Sequence, residues 1–163
     1  MNAEMGAKRG GDPLNMPELQ FAFELRETSR LLLNAFKTRI TPHGMTLAHY
    51  YLMRQLWAQE GISQAELSAR LQTTQAASVP TIDVLEGRGV LKRVRDTADR
   101  RVTRLYLTAK GKTLFLKMVG YAAEISVASL DGFRKSDLER LRTLLAEVRD
   151  NLAAPRAGEE DAS

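Results

Sequence analysis

Residues 88–111 read RGVLKRVRDTADRRVTRLYLTAKG, and this stretch decides the fold. Two segments rich in Val, Leu and Tyr, Val90 to Val94 and Val102 to Leu107, have the composition of β-strands. The residues between them, 95–101, are too polar and too charged to be buried. The stretch therefore predicts a β-hairpin whose tip is exposed to solvent.

The predicted hairpin is strongly basic. Residues 88–104 contain seven basic residues and two acids, a net charge of +5 in a chain whose total is +4. Because phosphates dominate nucleic-acid affinity, a basic ribbon this local favours contact with a polyanion. The alternative interpretation is a solvated hairpin with internal Asp–Arg pairs, since many charge runs are only that.

Two short helices are predicted before the hairpin. Ser63 and Glu66 form a capping box at the start of the first one. The second helix has an N-cap candidate in Thr73 or Thr74 and is predicted to reach about Glu86, shortly before two glycines that favour a helix end. Two short helices joined by a tight turn and followed by a basic hairpin are the elements of a winged helix-turn-helix, whose second helix enters the major groove.

A longer pattern runs through the hairpin and the residues after it. It reads Asp96-x-x-Asp99-Arg100-Arg101-x-x-x-Leu105-x-Leu107-Thr108-x-x-Gly111. This pattern resembles the signature of the MarR family of bacterial transcriptional regulators, and the resemblance extends over about residues 17–152. Two features before this pattern also fit the family: Leu67, and the motif Leu85-Glu86-x-x-Gly89. The resemblance implies a homodimer of winged-helix lobes, usually a repressor, often released by a small ligand that is commonly an aromatic acid.

The predicted fold class is mainly α with a small β-hairpin wing, a winged helix-turn-helix plus a helical dimerisation layer. We expect a single domain over residues 16–153. Within it, residues 46–107 form the DNA-binding lobe, and residues 16–41 and 108–153 form the dimerisation helices. The tails, residues 1–15 and 154–163, are predicted to be flexible. A basic arm that touches DNA is the alternative for the first tail.

The helices outside the predicted lobe have apolar stripes that one chain cannot cover, and this predicts a homodimer. The first of these helices is apolar on more than one side. Asn15 with Glu18, and Ser136 with Glu139, are predicted capping boxes for the first and last helices. Thr108 is the predicted N-cap of the helix that follows the hairpin.

Pro80 interrupts the second helix of the predicted helix-turn-helix. A proline in a helix interior removes a hydrogen bond, and here its ring opposes the carbonyl of Ala76, at a cost of roughly 3 kcal/mol. The sequence therefore predicts either a kink at Pro80 or a late helix start with Ser78 as the N-cap. Few strong base-reading side chains remain, so base specificity is expected to be modest, with more of it carried by DNA shape.

The predicted DNA-contacting residues lie on the two short helices and on the hairpin: Gln64, Thr73, Thr74, Gln75, Ser78, Thr81, Arg88, Arg95 and Arg100. Arg100 and Arg101 are adjacent in a ribbon, so their side chains are expected to point to opposite faces. The family pattern implies that Arg100 enters the minor groove and that Arg101 turns back to Asp96 or Asp99 to stabilise the wing.

The predicted helix over residues 47–59 has a second, aromatic stripe formed by Tyr50, Met53 and Trp57. This stripe either lines a ligand pocket or belongs to the ordinary core. The resemblance implies a pocket, with Arg39, His43 or Arg54 as the cation for an anionic ligand. The predicted effector-binding residues are Phe36, Arg39, His43, Tyr50, Met53, Arg54, Trp57, Phe115 and Met118.

Several classes of site are not expected. The chain has no cysteine, which excludes disulfides and thiolate metal sites. Its two histidines lack metal-binding spacing, so no metal or cofactor is predicted. There is no nucleophile elbow or phosphate loop, which argues against an enzyme. With no apolar run of about 18 residues and no signal peptide, we expect a cytoplasmic protein without membrane contact.

These features predict a dimeric DNA-binding transcriptional regulator bound to a roughly palindromic operator. The preferred form is a repressor released by an aromatic acid or its CoA thioester. A ligand-independent DNA-binding activator or an architectural winged-helix protein is the alternative.

Overall fold

A computed structural model describes residues 16–154 of the 163-residue chain. The expectations for residues 1–15 and 155–163 lie outside the described residues. Within residues 16–154, a short 3-10 turn, Thr41–His43, joins the first two helices. The elements are α1 Pro17–Ile40, α2 Leu47–Ala58, β1 Ile62–Ser63, α3 Gln64–Arg70, α4 Gln75–Gly87, β2 Leu91–Arg95, β3 Thr103–Leu107, α5 Ala109–Ser129 and α6 Lys135–Ala153.

The chain divides into two compact units, one ending at Ile125 and the other beginning at Ser126, so the division falls inside α5. The first unit contains a core in which side chains from α1, α2, α3, α4, α5 and the sheet are buried together. Leu52, Leu56, Leu67, Ile82 and Leu105 are among its fully buried members. In the second unit, α6 has no buried residue.

Several helix starts agree with the sequence analysis. The Ser63 hydroxyl accepts from the Glu66 backbone N–H, and the Glu66 carboxylate accepts from the Ser63 backbone N–H, which completes the predicted capping box. Thr74 caps α4 by accepting from the backbone N–H of Ala77 at 3.2 Å. Thr108 caps α5, because its hydroxyl accepts from the backbone N–H of Gly111 at 3.0 Å.

The predicted capping box of Ser136 with Glu139 is wrong, and that of Asn15 with Glu18 lies outside the described residues. Helix α1 begins at Pro17, and its N-cap position is Met16. Proline is well suited to the first helical position, where its missing N–H costs nothing, so it sets this helix start. Helix α6 begins two residues earlier than predicted, with Arg134 as its N-cap, and the Asp137 carboxylate accepts from both the backbone N–H and the guanidinium of Arg134.

Helix α4 is continuous from Gln75 to Gly87, with Pro80 in its interior. The prediction of a late start with Ser78 as N-cap is therefore wrong, since the helix starts at Gln75 with Thr74 as its cap. Ser78 instead lies in the second turn and is buried. The kink at Pro80 stays a prediction.

The wing hairpin is formed by β2 and β3, which pair antiparallel with Leu91 opposite Leu107 and Arg95 opposite Thr103. The strands lie within one residue of the segments expected from composition. A third strand, β1, completes a sheet of order β1-β3-β2 by pairing Ile62 with Leu105. A strand of two residues has no detectable alternation, so the sequence analysis missed it.

Two glycines shape the connections at the base of the wing. Gly89 has a left-handed φ of 66°, and the backbone N–H of Val90 reaches back to the Leu85 carbonyl, a standard way to end α4. Gly111 lies in the first turn of α5, where an added Cβ would be 2.0 Å from the Val90 carbonyl oxygen. The start of α5 therefore approaches the strand so closely that only glycine fits.

Candidate nucleic-acid interface

A buried hydroxyl pair fixes the angle between α3 and α4. The hydroxyls of Ser68 and Ser78 are 2.9 Å apart. Each is also placed to donate to a backbone carbonyl of its own helix, Ser68 to Gln64 and Ser78 to Gln75. Ser78 is only 4% exposed. The prediction that Ser78 contacts DNA is therefore wrong, because its side chain is buried against α3 and has its hydrogen-bonding capacity used there.

The other predicted base-contacting residues of this region differ in their exposure. Thr73, Thr74 and Gln75 are exposed at the turn and at the start of α4, whereas Gln64 and Thr81 are half-buried. The Thr74 hydroxyl is occupied by its capping bond. Gln75 therefore has the longest polar side chain that α4 presents to solvent near its N-terminus.

The tip of the wing is held by two carboxylates. Asp96 accepts from the backbone N–H groups of Ala98 and Asp99 at 2.7 and 3.1 Å and from the Arg104 guanidinium. The Arg104 bond and these two backbone bonds lower the pKa of Asp96 from 3.8 to about 2. Asp99 forms the predicted pair with Arg101, at 3.1 Å, and the bond from Arg101 lowers the pKa of Asp99 as well.

The partner of Asp96 was missed by the sequence analysis. Arg104 lies on β3 and also donates to the Gly61 carbonyl at 2.8 Å, so it ties the wing to the chain just before β1. The sequence signal was available, because Arg104 belongs to the same basic run as Arg101. The choice between the two arginines depends on the register of the hairpin, in which Arg104 lies opposite Val94.

Arg100 and Arg101 both lie in the turn before β3, not in a strand. The expectation that strand alternation separates their side chains therefore does not apply. Their environments still differ. Arg101 is paired with Asp99, whereas Arg100 is exposed and has no ion pair or side-chain hydrogen bond among residues 16–154. Arg95, at the end of β2, is also exposed.

A second missed arginine joins the wing to α4. Arg93 donates to Asp83 at 2.6 Å and to Glu86, and the Glu86 carboxylate also accepts from the Arg93 backbone N–H at 3.1 Å. These bonds fix β2 against the helix and neutralise two acids on α4. Glu86 was noted only as part of the family pattern, and its partner follows from the tertiary structure.

Arg88 was predicted to contact DNA, but the structure gives it a different set of partners. Its guanidinium donates to the carbonyl oxygens of His43, at 2.7 Å, and Gly44. These carbonyls belong to the turn between α1 and α2. The half-buried Arg88 side chain therefore holds this turn, and its contact with DNA stays a prediction.

The predicted effector residues come together in the first unit, mostly as packed core. Tyr50 contacts Phe36 edge-on, with ring centroids 4.7 Å apart, and stacks on Phe115 at 5.7 Å. Met53 and Met118 are fully buried. Trp57 packs on Phe115 at 5.3 Å but remains 45% exposed.

The three candidate cations have different partners. Arg39 pairs with Glu124 at 3.2 Å and lies over the Tyr121 ring. The His43 ring nitrogen is hydrogen-bonded to the Tyr121 hydroxyl at 2.8 Å. Arg54 is exposed and has no ion pair among residues 16–154. Arg54 is therefore the cation of this group that an anionic ligand reaches without breaking a salt bridge.

Two hollows lie on the surface outside the aromatic cluster. A cleft of about 260 Å³ between α2 and α4 is lined by Ala48, Tyr51, Leu52, Leu71, Thr73, Ala77, Ser78 and Thr81. A larger hollow of about 530 Å³ is lined only by side chains of α6, so it has one wall and does not enclose a ligand. Neither hollow includes the predicted effector residues.

Two further features concern residues 16–154. No group of three or more His, Asp or Glu side chains could hold a metal ion there. None of the helices in this range is long and apolar enough to span a membrane.

Comparison with known proteins gives the same fold throughout. Residues 45–103 match the model of the MarR family. The chain is 29% identical over 152 residues to the HTH-type transcriptional regulator TtmR of Methylorubrum extorquens. The matched region covers 93% of this chain and 76% of TtmR.

Solved structures agree over the length of the chain. The transcriptional repressor CouR, bound to a 23-mer DNA duplex, superposes with a TM-score of 0.72 and 26% identity over 85% of this chain and 99% of CouR. Bordetella bronchiseptica BpsR, whose DNA binding is regulated by 6-hydroxynicotinic acid, gives a TM-score of 0.67 and 25% identity over 80% of this chain and 98% of BpsR. With its helix-turn-helix, its wing and a match to the family model over residues 45–103, the chain is similar to the MarR family of winged-helix transcriptional regulators.

Proposed function

We propose that this regulator binds duplex DNA as a homodimer, with α4 in the major groove and the wing in the neighbouring minor groove. The observation that carries the proposal is a set of exposed, basic side chains on the wing, whose strand β2 is joined to α4 through Arg93. Arg95 and Arg100 on the wing are exposed, while the other arginines of the hairpin, Arg93, Arg101 and Arg104, are paired with acids. An arginine without a protein partner is available to phosphates or to a narrow minor groove.

The second copy of the chain is supported by exposed apolar surface. In α1, the exposed large apolar residues are Leu19, Phe21, Phe23, Leu25, Leu31 and Leu32. In α6, Leu141, Leu144 and Leu152 are exposed and no residue is buried. Monomeric soluble proteins rarely leave large contiguous apolar patches exposed. A twofold dimer that covers these faces also matches a roughly palindromic operator.

We propose further that the protein is a repressor released by a small aromatic acid or its CoA thioester. The relatives support the two parts separately: CouR is a repressor, and 6-hydroxynicotinic acid regulates the DNA binding of BpsR. In this chain, Trp57 and Arg54 provide an exposed aromatic ring and an unpaired cation one helical turn apart. The ligand acts only through a difference in its affinity for the DNA-binding and non-binding states.

The ligand-independent regulator remains a second candidate because of the packing of the aromatic cluster. Phe36, Met53, Phe115 and Met118 are each at most 7% exposed. A ligand that enters among these side chains must displace them. A ligand-independent protein needs no such rearrangement.

Two measurements test the proposal. Light scattering of the full chain is expected to report twice the chain mass of 18.2 kDa, and a stable monomer at micromolar concentration contradicts the dimer. Fluorescence anisotropy with duplex DNA at several salt concentrations is expected to give a steep negative slope of log affinity against log salt, and a slope near zero contradicts phosphate contact.

A thermal-shift screen of aromatic acids and their CoA thioesters tests the release mechanism. The expected result is a ligand that raises the melting temperature, changes Trp57 emission and weakens DNA binding. If a ligand releases DNA while Trp57 emission and binding to the Trp57→Phe variant are unchanged, the site lies elsewhere. If no compound of these classes releases DNA, the ligand-independent alternative is preferred.

A further inference from the structure

The outward face of α4 is almost entirely apolar. Ser78, Ile82 and Leu85 are buried and define the inner side of the helix. At 100° per residue, the opposite side is occupied by Ala76, Ala77, Pro80, Asp83 and Val84, all of which are exposed. Val84 alone is 47% exposed. Helix α4 contains no lysine, arginine or histidine.

The single acid on this face is neutralised from outside the helix. Asp83 accepts from the Arg93 guanidinium at 2.6 Å. Its carboxylate is therefore paired and is held towards the wing strand. Without that pair, a carboxylate on a groove-facing helix repels phosphates, so the pair makes the face compatible with DNA.

The other polar side chains of the helix offer few base contacts, because Thr81 is half-buried and Glu86 is paired with Arg93. Thr74 uses its hydroxyl as the cap, and Ser78 is buried. Gln75 is exposed and has the bidentate amide that suits adenine. No side chain of α4 can donate the two parallel hydrogen bonds with which arginine recognises guanine.

A base pair offers one apolar feature in the major groove, the 5-methyl group of thymine. We propose that α4 selects its operator by apolar contact with thymine methyl groups through Ala76, Ala77, Pro80 and Val84, with Gln75 reading an adenine nearby. This inference rests on the proposed DNA-binding function and specifies which bases it prefers. Duplex DNA is the occupant of this face, because the wing that Arg93 joins to α4 carries two exposed cations, Arg95 and Arg100.

The first step of the test identifies the preferred duplex. The full-length protein is used to select sites from a random duplex pool, and the expected half-sites contain A·T pairs where α4 lies in the groove. The selected duplex is then synthesised with deoxyuridine in place of single thymidines, which removes only the methyl group. Loss of a contacted methyl is expected to weaken binding about fourfold, and thymidines outside the helix footprint are expected to have no effect.

A pair of proline variants assigns the contact to α4. Pro80→Ser removes the most prominent apolar side chain of the face and restores a backbone N–H, so the helix is expected to remain folded. Pro42→Ser makes the same change at an exposed position in the turn after α1. We expect Pro80→Ser to reduce the thymidine-to-deoxyuridine affinity ratio at one position to about one, and Pro42→Ser to keep the ratio of the parent protein.

The outcomes separate the inference from the proposed function. Two results overturn the proposed contact with methyl groups without contradicting DNA binding. One is equal affinity for thymidine and deoxyuridine duplexes, and the other is an unchanged thymidine-to-deoxyuridine affinity ratio in Pro80→Ser. Uniform binding to every duplex, without enrichment of any sequence, also overturns it. Failure to bind any duplex at low salt overturns the proposed function itself and makes a protein the partner of this face.

Discussion

Replacement of Gly111 by alanine is expected to destabilise the protein although the residue lies in a helix, where alanine is ordinarily the better residue. The added Cβ would be 2.0 Å from the Val90 carbonyl oxygen, and ordinary contacts of a Cβ begin at 3.4 Å. The helix and the strand must therefore separate by about 1 Å or more, which typically costs ~1–3 kcal/mol. The obstacle is backbone, so no side-chain rotation can relieve it.

The same carbonyl is a hydrogen-bond acceptor, which adds to the cost. It accepts from the backbone N–H of Thr108 at 3.0 Å and from the Thr108 hydroxyl at 3.2 Å. Each of these bonds contributes about 0.5–1.5 kcal/mol net, and a shift of Val90 weakens both. Helix propensity returns about 0.5–1 kcal/mol. We therefore expect Gly111→Ala to lose about 3 kcal/mol of unfolding free energy.

Gly120 is the matched control on the same helix. Nothing lies within 4 Å of the position of an added Cβ there, so Gly120→Ala is expected to gain about 0.5–1 kcal/mol. Urea unfolding followed by circular dichroism measures both variants at one protein concentration, because dimerisation makes the stability concentration-dependent. In a thermal scan, Gly111→Ala is expected to melt about 6–12 °C lower. Equal stability of the two variants refutes the close approach at Gly111.

Three further predictions concern the wing and the prolines. Arg100→Ala is expected to lower the salt slope of DNA binding by about 0.9, one phosphate contact, whereas Arg101→Ala keeps the slope and loosens the wing, and titration at several salt concentrations separates them. The pKa of Asp96 is lowered from 3.8 to about 2 in the folded state, so the ionised carboxylate stabilises the fold fully above pH 3.8. This stabilisation is lost as the pH falls from 3.8 towards 2, and Asp96→Asn should remove this part of the pH dependence of the unfolding free energy. Pro80→Ala is expected to raise the unfolding free energy by about 2 kcal/mol, while Pro42→Ala, at a position compatible with proline, lowers it by about 0.4–1 kcal/mol; if Pro80→Ala is destabilising, the helix does not carry the assumed strain.

The elements that the sequence predicted correctly depend on neighbouring residues. The capping box of Ser63 with Glu66, the Thr74 cap and the Thr108 cap each join residues three positions apart. Such signals are complete within one turn of helix, so they can be recognised without the fold. The start of α6 shows why such signals can mislead. Ser136 and Glu139 have the spacing of a capping box, but Arg134 and Asp137 have the same spacing and form the contact. Spacing alone does not decide between two adjacent candidates.

The candidate site was predicted less completely, because exposure depends on distant partners. Ser78 and Arg88 are polar and lie in the expected region, yet the first is buried against Ser68 and the second holds carbonyls of the turn that follows α1. Three aromatic members of the predicted effector set, Phe36, Tyr50 and Phe115, contact one another, and this contact depends on α1, α2 and α5 together.

The helix-turn-helix, the basic hairpin and the family resemblance could be predicted from the sequence, because periodicity, caps, charge and motif spacing are properties of short stretches. Only the tertiary structure decided which arginines of the hairpin are paired and which are available. Arg93 and Arg104 find acids on α4 and at the wing tip, and Arg104 also reaches the Gly61 carbonyl 43 residues away. The charge of an arginine is fixed by its chemistry, but its availability to DNA depends on which acceptors the fold brings within reach.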